Sequence, residues 1–254
     1  ETYKYAMPGE KEQPQTELLH FSFDQMEMKK LPISTFKDQT VSLWSTTPPA
    51  NTRDDDFRPA TWLGNLNEFY FAITSRDLKK VDVVRWNLAS NQKEVVIEER
   101  SNTYIDFEKL ELVGNELIWW SERDGWGHFY LYGKDGTLKR QLTSGPYHTA
   151  GAARVDAKNR KLYFVANGRE KGEDPYYEHL YSVSLDGGAV SLLNAGDFNH
   201  DIDINDNASF FVNTYSRVNT TPVSVLKDRN GNKVMDLETA DLSQLFAAGY
   251  QFPE

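Results

Sequence analysis

Apolar positions in this chain fall in short runs bounded by Asn, Asp and Gly, and the runs recur. Asn67-Glu68-Phe69-Tyr70-Phe71, Asn115-Glu116-Leu117-Ile118-Trp119, Arg160-Lys161-Leu162-Tyr163-Phe164 and Ala208-Ser209-Phe210-Phe211-Val212 begin 48, 45 and 48 residues apart. Each follows a turn signal (Gly64-Asn65, Gly114-Asn115, Lys158-Asn159, Asp206-Asn207) and an earlier apolar segment, so each reads as the second strand of a hairpin. A second hairpin follows in every repeat, with first strands at 81–88, 129–132, 180–185 and 223–226. Its turns carry Ser90-Asn91, Asp135-Gly136, Asp186-Gly187 and Asn230-Gly231. Four strands at a period of 40 to 50 residues are the blade of a β-propeller. The second strands are almost continuously apolar, as expected where both faces of a sheet are covered.

The pattern therefore predicts an all-β fold, a partial β-propeller of about four to five four-stranded antiparallel blades with a short C-terminal helix. The expected division is a half blade over 1–57, full blades at about 58–100, 101–145, 146–197 and 198–238, and a linker with the helix over 239–254. The half blade is one hairpin, residues 17–23 returning through 26–31, with the chain beginning in mid-blade. The helix is expected near 240–247, with Leu242, Leu245 and Phe246 at helical spacing and Asp241 as its cap. Ending at Pro253-Glu254, the sequence reads as a piece of a larger protein. Four unrelated meanders in a sandwich would not repeat both turn position and spacing.

Composition narrows the class. An apolar share of 39% over 254 residues supports a buried core. With 14 Phe, 13 Tyr and 6 Trp in short runs, the chain favours strands. The formal charge of −10 repels a phosphate backbone, so nucleic acid is not an expected partner. No apolar run approaches the 18 or so residues of a membrane span. Residues 1–20 lack the basic start and apolar stretch of a secretory signal, which is either removed or was never there. With no cysteine, disulfides, thiolate nucleophiles and cysteine-rich zinc sites are excluded.

The residues themselves assign no catalytic, cofactor-binding or metal-ligating position. No G-x-S-x-G pentapeptide occurs. His20, His128, His148, His179 and His200 are scattered with no H-x-x-x-H pair and read as strand or loop residues. Asp228-Arg229-Asn230-Gly231-Asn232 has its glycine at the fourth position of a calcium-type loop instead of the sixth, with Thr239 where the bidentate Glu belongs, and reads as a hairpin turn. Glu98 and Glu99 point to opposite faces of a strand and read as a solvated strand end. Arg53-Asp54-Asp55-Asp56 reads as an exposed loop. Asn207-Ala208-Ser209 and Asn219-Thr220-Thr221 are glycosylation sequons only where the machinery exists.

Ser121-Glu122-Arg123-Asp124-Gly125-Trp126, then His128, Phe129-Tyr130-Leu131-Tyr132 and Gln141-Leu142-Thr143-Ser144-Gly145, closely resemble the propeller of dipeptidyl peptidase IV-like prolyl oligopeptidases. Tyr3-Lys4-Tyr5-Ala6-Met7-Pro8-Gly9-Glu10, Asn102-Thr103-Tyr104-Ile105-Asp106-Phe107 and His179-Leu180-Tyr181-Ser182-Val183 extend the resemblance over essentially the whole chain. It implies the second half of an eight-bladed propeller that caps a C-terminal α/β-hydrolase domain with a Ser-Asp-His triad, in a family that removes dipeptides from peptide substrates. The triad, and the glutamate pair that holds the substrate's amino group, would then lie outside this chain, and Glu98-Glu99 is not that pair. Met7 and the loop Arg169-Glu170-Lys171-Gly172-Glu173-Asp174 depart from the family pattern.

The expected function is a non-catalytic propeller segment of a periplasmic or extracellular serine exopeptidase, with the hydrolase domain and peptides as partners. Self-association is expected through apolar end faces carrying Phe21, Phe23, Phe210 and Phe211. The alternatives are a stand-alone propeller that binds a protein or peptide, and a propeller glycosidase, for which no converging carboxylate pair stands out.

Overall fold

The structure is a computed structural model describing residues 14–45 and 62–253. Met7, the Tyr3 to Glu10 motif and the Arg53 to Asp56 run lie outside the described residues. The chain forms two compact units, residues 1–112 with 134–137, and residues 113–133 with 138–254.

The strands are β1 (Leu19–Ser22), β2 (Glu27–Lys30), β3 (Thr40–Leu43), β4 (Glu68–Thr74), β5 (Lys80–Asn87), β6 (Gln92–Arg100), β7 (Glu111–Val113), β8 (Glu116–Ser121), β9 (His128–Gly133), β10 (Leu138–Gln141), β11 (His148–Asp156), β12 (Lys161–Asn167), β13 (Glu178–Ser184), β14 (Ser191–Leu192), β15 (Asn199–Ile204), β16 (Phe210–Ser216), β17 (Val223–Asp228) and β18 (Lys233–Thr239), followed by the helix α1 (Ser243–Ala247). They form a two-stranded hairpin, β1 with β2, and four four-stranded antiparallel meanders, β3–β6, β7–β10, β11–β14 and β15–β18. This is the expected partial propeller, and the second strands of the four sheets coincide with the four aromatic-rich repeat segments.

In the first unit, alternation along paired strands builds the core. Phe71 lies opposite Val84 in the β4–β5 register. Phe71, Ile73, Val84 and Trp86 pack with Leu31 and Ile33, which follow the hairpin. The alternate positions Tyr70, Ala72, Val81 and Val83 are also buried, so both faces of the central strands are covered. Burying one such side chain contributes roughly 1.5–3 kcal/mol. The first strand of this sheet lies at Thr40–Leu43, inside the stretch read as a separate half blade over 1–57. No turn signal marks it, because the connection to β4 is far longer than a hairpin loop. Gly64-Asn65 is the turn before the second strand as expected: Gly64 bridges antiparallel to Phe69, and the Asn65 amide donates to the Glu68 carbonyl at 2.8 Å.

In the second unit, one cluster interleaves Ile118, Trp120, Phe129 and Leu131 of β8 and β9 with Leu162, Phe164, Tyr181 and Val183 of β12 and β13. The opposite face of β12 and β13 contributes Tyr163 and Leu180 to a second cluster with Leu193, Ile204, Ala208 and Phe211. Phe211 is thus core, 1% exposed, and not part of an open end face, whereas its neighbour Phe210 is 44% exposed. Pleating turns the two rings to opposite sides of β16. Strand β18 is exposed along its whole length.

Two hairpin glycines carry a packing requirement beyond turn geometry. Gly136 and Gly231 have φ of 82° and 86°. A Cβ on Gly136 would stand 2.5 Å from the Val96 carbonyl oxygen, and one on Gly231 would stand 2.4 Å from that of Leu193. Only glycine lets these turns seat against neighbouring backbone. The Asp228 turn behaves as expected, its Oδ1 accepting from the Asn230 and Asn232 amides at 2.9 Å. Helix α1 buries no residue, and its N-cap position is Leu242 with no side-chain cap. Asp241 sits one residue earlier than a capping side chain must, and accepts from the Ser243 amide at 2.9 Å.

Candidate functional site

Within the second unit the two ends of the sheets differ. One end has tight turns, such as 157–160 and 229–232; the other has the longer connections 122–127, 142–147, 168–177, 193–198 and 217–222. Loops freed from strand pairing are where binding chemistry gathers, and here they bring arginine, aromatic and histidine side chains together.

The β8–β9 loop places the Arg123 guanidinium 4.4 Å from the centre of the Tyr130 ring. Arg123 donates through Nη1 to Tyr132 Oη at 2.6 Å and through Nε to Ser121 Oγ at 3.0 Å. The Ser121 hydroxyl therefore accepts from a guanidinium and faces no base there. The β12–β13 loop places Arg169 between two rings, 5.7 Å from Tyr147 and 5.1 Å from Tyr181. Its Nη1 donates to Glu170 Oε1 at 2.9 Å, and the same oxygen accepts from Tyr181 Oη at 3.0 Å. The β16–β17 loop places Arg217 over Phe198 at 5.5 Å, paired with Asp197 at 2.6 Å.

These three, with Arg76 of the β4–β5 loop in the first unit, form a series of one arginine per repeat, spaced 47, 46 and 48 residues apart. Arg76 pairs with Asp38 at 3.8 Å. The signal is in the sequence, since each arginine follows the second strand by one or two residues, just outside the apolar strand cores that carry the repeat.

The histidines are less scattered than their spacing suggested. His128 and His179 are 51 residues apart, as are Thr143 and Asn194. The Phe129 amide donates to Thr143 Oγ1 at 3.0 Å and the Leu180 amide to Asn194 Oδ1 at 2.8 Å, the same contact in successive repeats. His128 Nδ1 meets Thr143 Oγ1 at 3.1 Å and its Nε2 meets the Gly145 carbonyl at 3.0 Å. Because Thr143 can donate to Nδ1, a neutral His128 satisfies both bonds. His179 Nε2 meets Glu173 at 2.8 Å, and the His179 ring lies 4.7 Å from that of His200. His200 Nδ1 faces Asn213 Oδ1 at 3.0 Å and its Nε2 faces the Gly196 carbonyl at 3.3 Å. Burial pushes the His200 ring down to about 4, against the pull of the Gly196 and Asn213 acceptors, and the neighbouring His179 lowers it further. These three are packing histidines. His148 is half-buried, edge-on to Trp120, and His20 lies half-buried on β1.

An open cleft of about 710 Å³ is lined by Ser144, Tyr147, Arg169, Glu170 and Lys171 together with Gly145, Pro146 and Gly168. Tyr147 is 5% exposed, and its hydroxyl has no hydrogen-bond partner. Burial raises its pKa, with the positive charge of Arg169 opposing. Among the described residues, no three His, Asp or Glu side chains converge as a metal-binding group. Glu98 is exposed, as a solvated strand end requires, but Glu99 is 8% exposed because alternation turns it inward opposite Val81. Asn207 and Asn219 both lie exposed in loops.

A family model described as the dipeptidyl peptidase IV N-terminal region matches residues 1–222. Dipeptidyl peptidase 4 of Trichophyton equinum is 33% identical over 73 residues, which are 29% of this chain and 9% of that protein. Its counterpart in Trichophyton rubrum is 35% identical over 66 residues, 26% of this chain and 8% of that one. The crystal structure of Porphyromonas gingivalis dipeptidyl peptidase 4 superposes with a TM-score of 0.73 at 18% identity, covering 91% of this chain and 30% of that one. No helix among the described residues is long and apolar enough to cross a membrane.

Proposed function

The chain belongs to the dipeptidyl peptidase IV N-terminal region family, and from that premise we propose that it is the non-catalytic propeller segment of a serine exopeptidase. In this reading the long-loop end of the sheets packs toward an α/β-hydrolase domain supplied by the rest of the parent protein. Its loops wall the path by which peptides reach that domain's nucleophile. The observation that carries the reading is the asymmetry of the second unit, with tight turns at one end and the aromatic and arginine side chains at the other.

The chemistry fits a wall better than a reaction centre. Arg123 is held by a tyrosine and a serine hydroxyl, and Arg217 by a carboxylate. His128 has both ring nitrogens engaged. Fixed side chains of this kind set shape and charge along a path, which decides what enters. Bond cleavage needs a nucleophile within reach of a base, and Ser121 faces a guanidinium instead. The reading places the parent in the periplasm or outside the cell, where exopeptidases meet peptides.

The test is the open reading frame beyond Glu254. A G-x-S-x-G within about 200 residues, together with X-Pro-nitroanilide turnover by the extended polypeptide, supports the reading. A stop codon soon after Glu254 contradicts it and turns the chain into a stand-alone binding propeller.

A further inference from the structure

We propose that the cleft between Tyr147 and Arg169 is a binding site for a carboxylate, carried by an acidic side chain or the C-terminus of a peptide; that the carrier is a peptide rests on the function proposed above.

Among the arginines of the repeat series, three face partners that are not their immediate neighbours in the chain. Arg76 and Arg217 have carboxylates from other segments, and Arg123 spans two hydroxyl oxygens. Arg169 differs. Its one carboxylate contact is the adjacent Glu170, made through a single nitrogen. A guanidinium carries five N–H donors, so the Glu170 contact leaves capacity for a further acceptor. Both tyrosine rings lie within cation–π distance of it, and the N–H donors left over are the part available for an acid.

The second observation is the Tyr147 hydroxyl. It belongs to a side chain 95% removed from solvent and has no partner, and it lies on a ring that lines the same cleft as Arg169. A buried hydroxyl without a partner costs roughly 1–3 kcal/mol, which a ligand oxygen would recover. Lys171 adds a further positive charge to the lining. Glu170 offsets one of the two positive charges, its Oε1 accepting from both Tyr181 and Arg169, and the lining keeps one cation in excess. On a chain of net charge −10, a cleft lined by two cations against one carboxylate is a local exception that favours anions. Its volume of about 710 Å³ admits one or two residues of a peptide.

The experiment is NMR titration of the protein at low salt with sodium acetate and with two C-terminally amidated tripeptides, Ala-Pro-Asp and Ala-Pro-Asn. Acetate should shift the Tyr147 and Arg169 signals, and the Asp peptide should bind about tenfold more tightly than the Asn peptide, the size of one charge-assisted contact. Ala-Pro-Asn with a free C-terminus regaining that affinity would identify the terminal carboxylate as an equal source. Arg169→Gln should abolish the discrimination. Tyr147→Phe and the surface variant Lys171→Gln should each weaken it several-fold, the latter without risk to folding. If acetate acts at Tyr147 and Arg169 but neither peptide outdoes it, the anion site stands and the peptide reading fails. If neither acetate nor the Asp peptide perturbs these residues, or Arg169→Gln binds both as the wild type does, the proposal is overturned while the propeller assignment is untouched.

Discussion

The Trp120 indole N–H donates to two oxygens of one residue, the carbonyl and the hydroxyl of Thr149, at 2.9 and 2.8 Å. The Thr149 hydroxyl passes its own proton to the Gly127 carbonyl at 2.7 Å. This buried relay joins β8 to β11, so Thr149→Val, which keeps the shape and deletes the hydroxyl, should lower unfolding stability by about 1–2 kcal/mol. Gly127→Ala should cost at least as much, because its Cβ would sit 2.3 Å from Trp120 Cζ2. Urea denaturation of both variants checks this; a loss below about 0.5 kcal/mol in each would mean the relay does not contribute.

At the tight-turn end, Arg160 donates through Nη2 to Asp186 and through Nη1 to Glu116, both at 2.8 Å. The guanidinium holds both carboxyls below their ordinary values. Their contribution is therefore present above the unfolded values of 4.5 and 3.8 and fades as pH falls through the lower folded ones. Arg160→Met should melt below the wild type at pH 7, and the gap should close as the pH is taken under about 4. A gap that stays constant down to pH 3 would assign the loss to packing alone.

His200 should show the opposite chemistry with the same sign. Its folded value of about 4 lies below the unfolded 6.5, so the unfolded chain takes up a proton first and stability falls as pH drops from 6.5 toward 4. The full effect is ~3 kcal/mol. The charged or titratable neighbours are His179, which carries Glu173 on its far nitrogen, and Lys227. His200→Gln should flatten the stability profile in that window, and the wild-type imidazole should remain neutral by NMR at pH 6. A His200 resonance titrating near 6.5 would contradict the buried, neutral assignment.

Much of the fold was legible because a blade repeats its chemistry. The second-strand segments beginning at Asn67, Asn115, Arg160 and Ala208 carry the aromatic residues that fill the cores, and the turn dipeptides fix where each strand ends. What stayed hidden depends on distance. Strand β3 is only Thr-Val-Ser-Leu and is far from β4 in sequence, so no local turn marks it. The candidate cleft was harder still. Tyr147, Arg169 and Tyr181 come from three segments, and their meeting depends on how β11 to β14 stack on the preceding sheet. The loop beginning at Arg169 stood out only as a departure from the family pattern.

Exposed apolar side chains remain on the outer elements. Phe21, Phe23, Met26 and Met28 on the β1–β2 hairpin are between 42% and 82% exposed, and Val234, Met235 and Leu237 on β18 between 43% and 52%. An unpaired edge strand with such a surface is a template for a second chain. Light scattering at tens of micromolar should give a mass above the 29.2 kDa of one chain, and Met235→Lys with Met28→Lys should bring it down. A clean monomer at that concentration would contradict the expectation.

The central claim is that this propeller serves a peptidase without being one. The most direct measurement is incubation of the purified chain with an X-Pro-nitroanilide across neutral pH. The predicted result is no release of nitroaniline above buffer, because Ser121 accepts from the Arg123 guanidinium and both ring nitrogens of His128 are engaged. Turnover that co-purifies with the chain and disappears in Ser121→Ala or Ser144→Ala would contradict it.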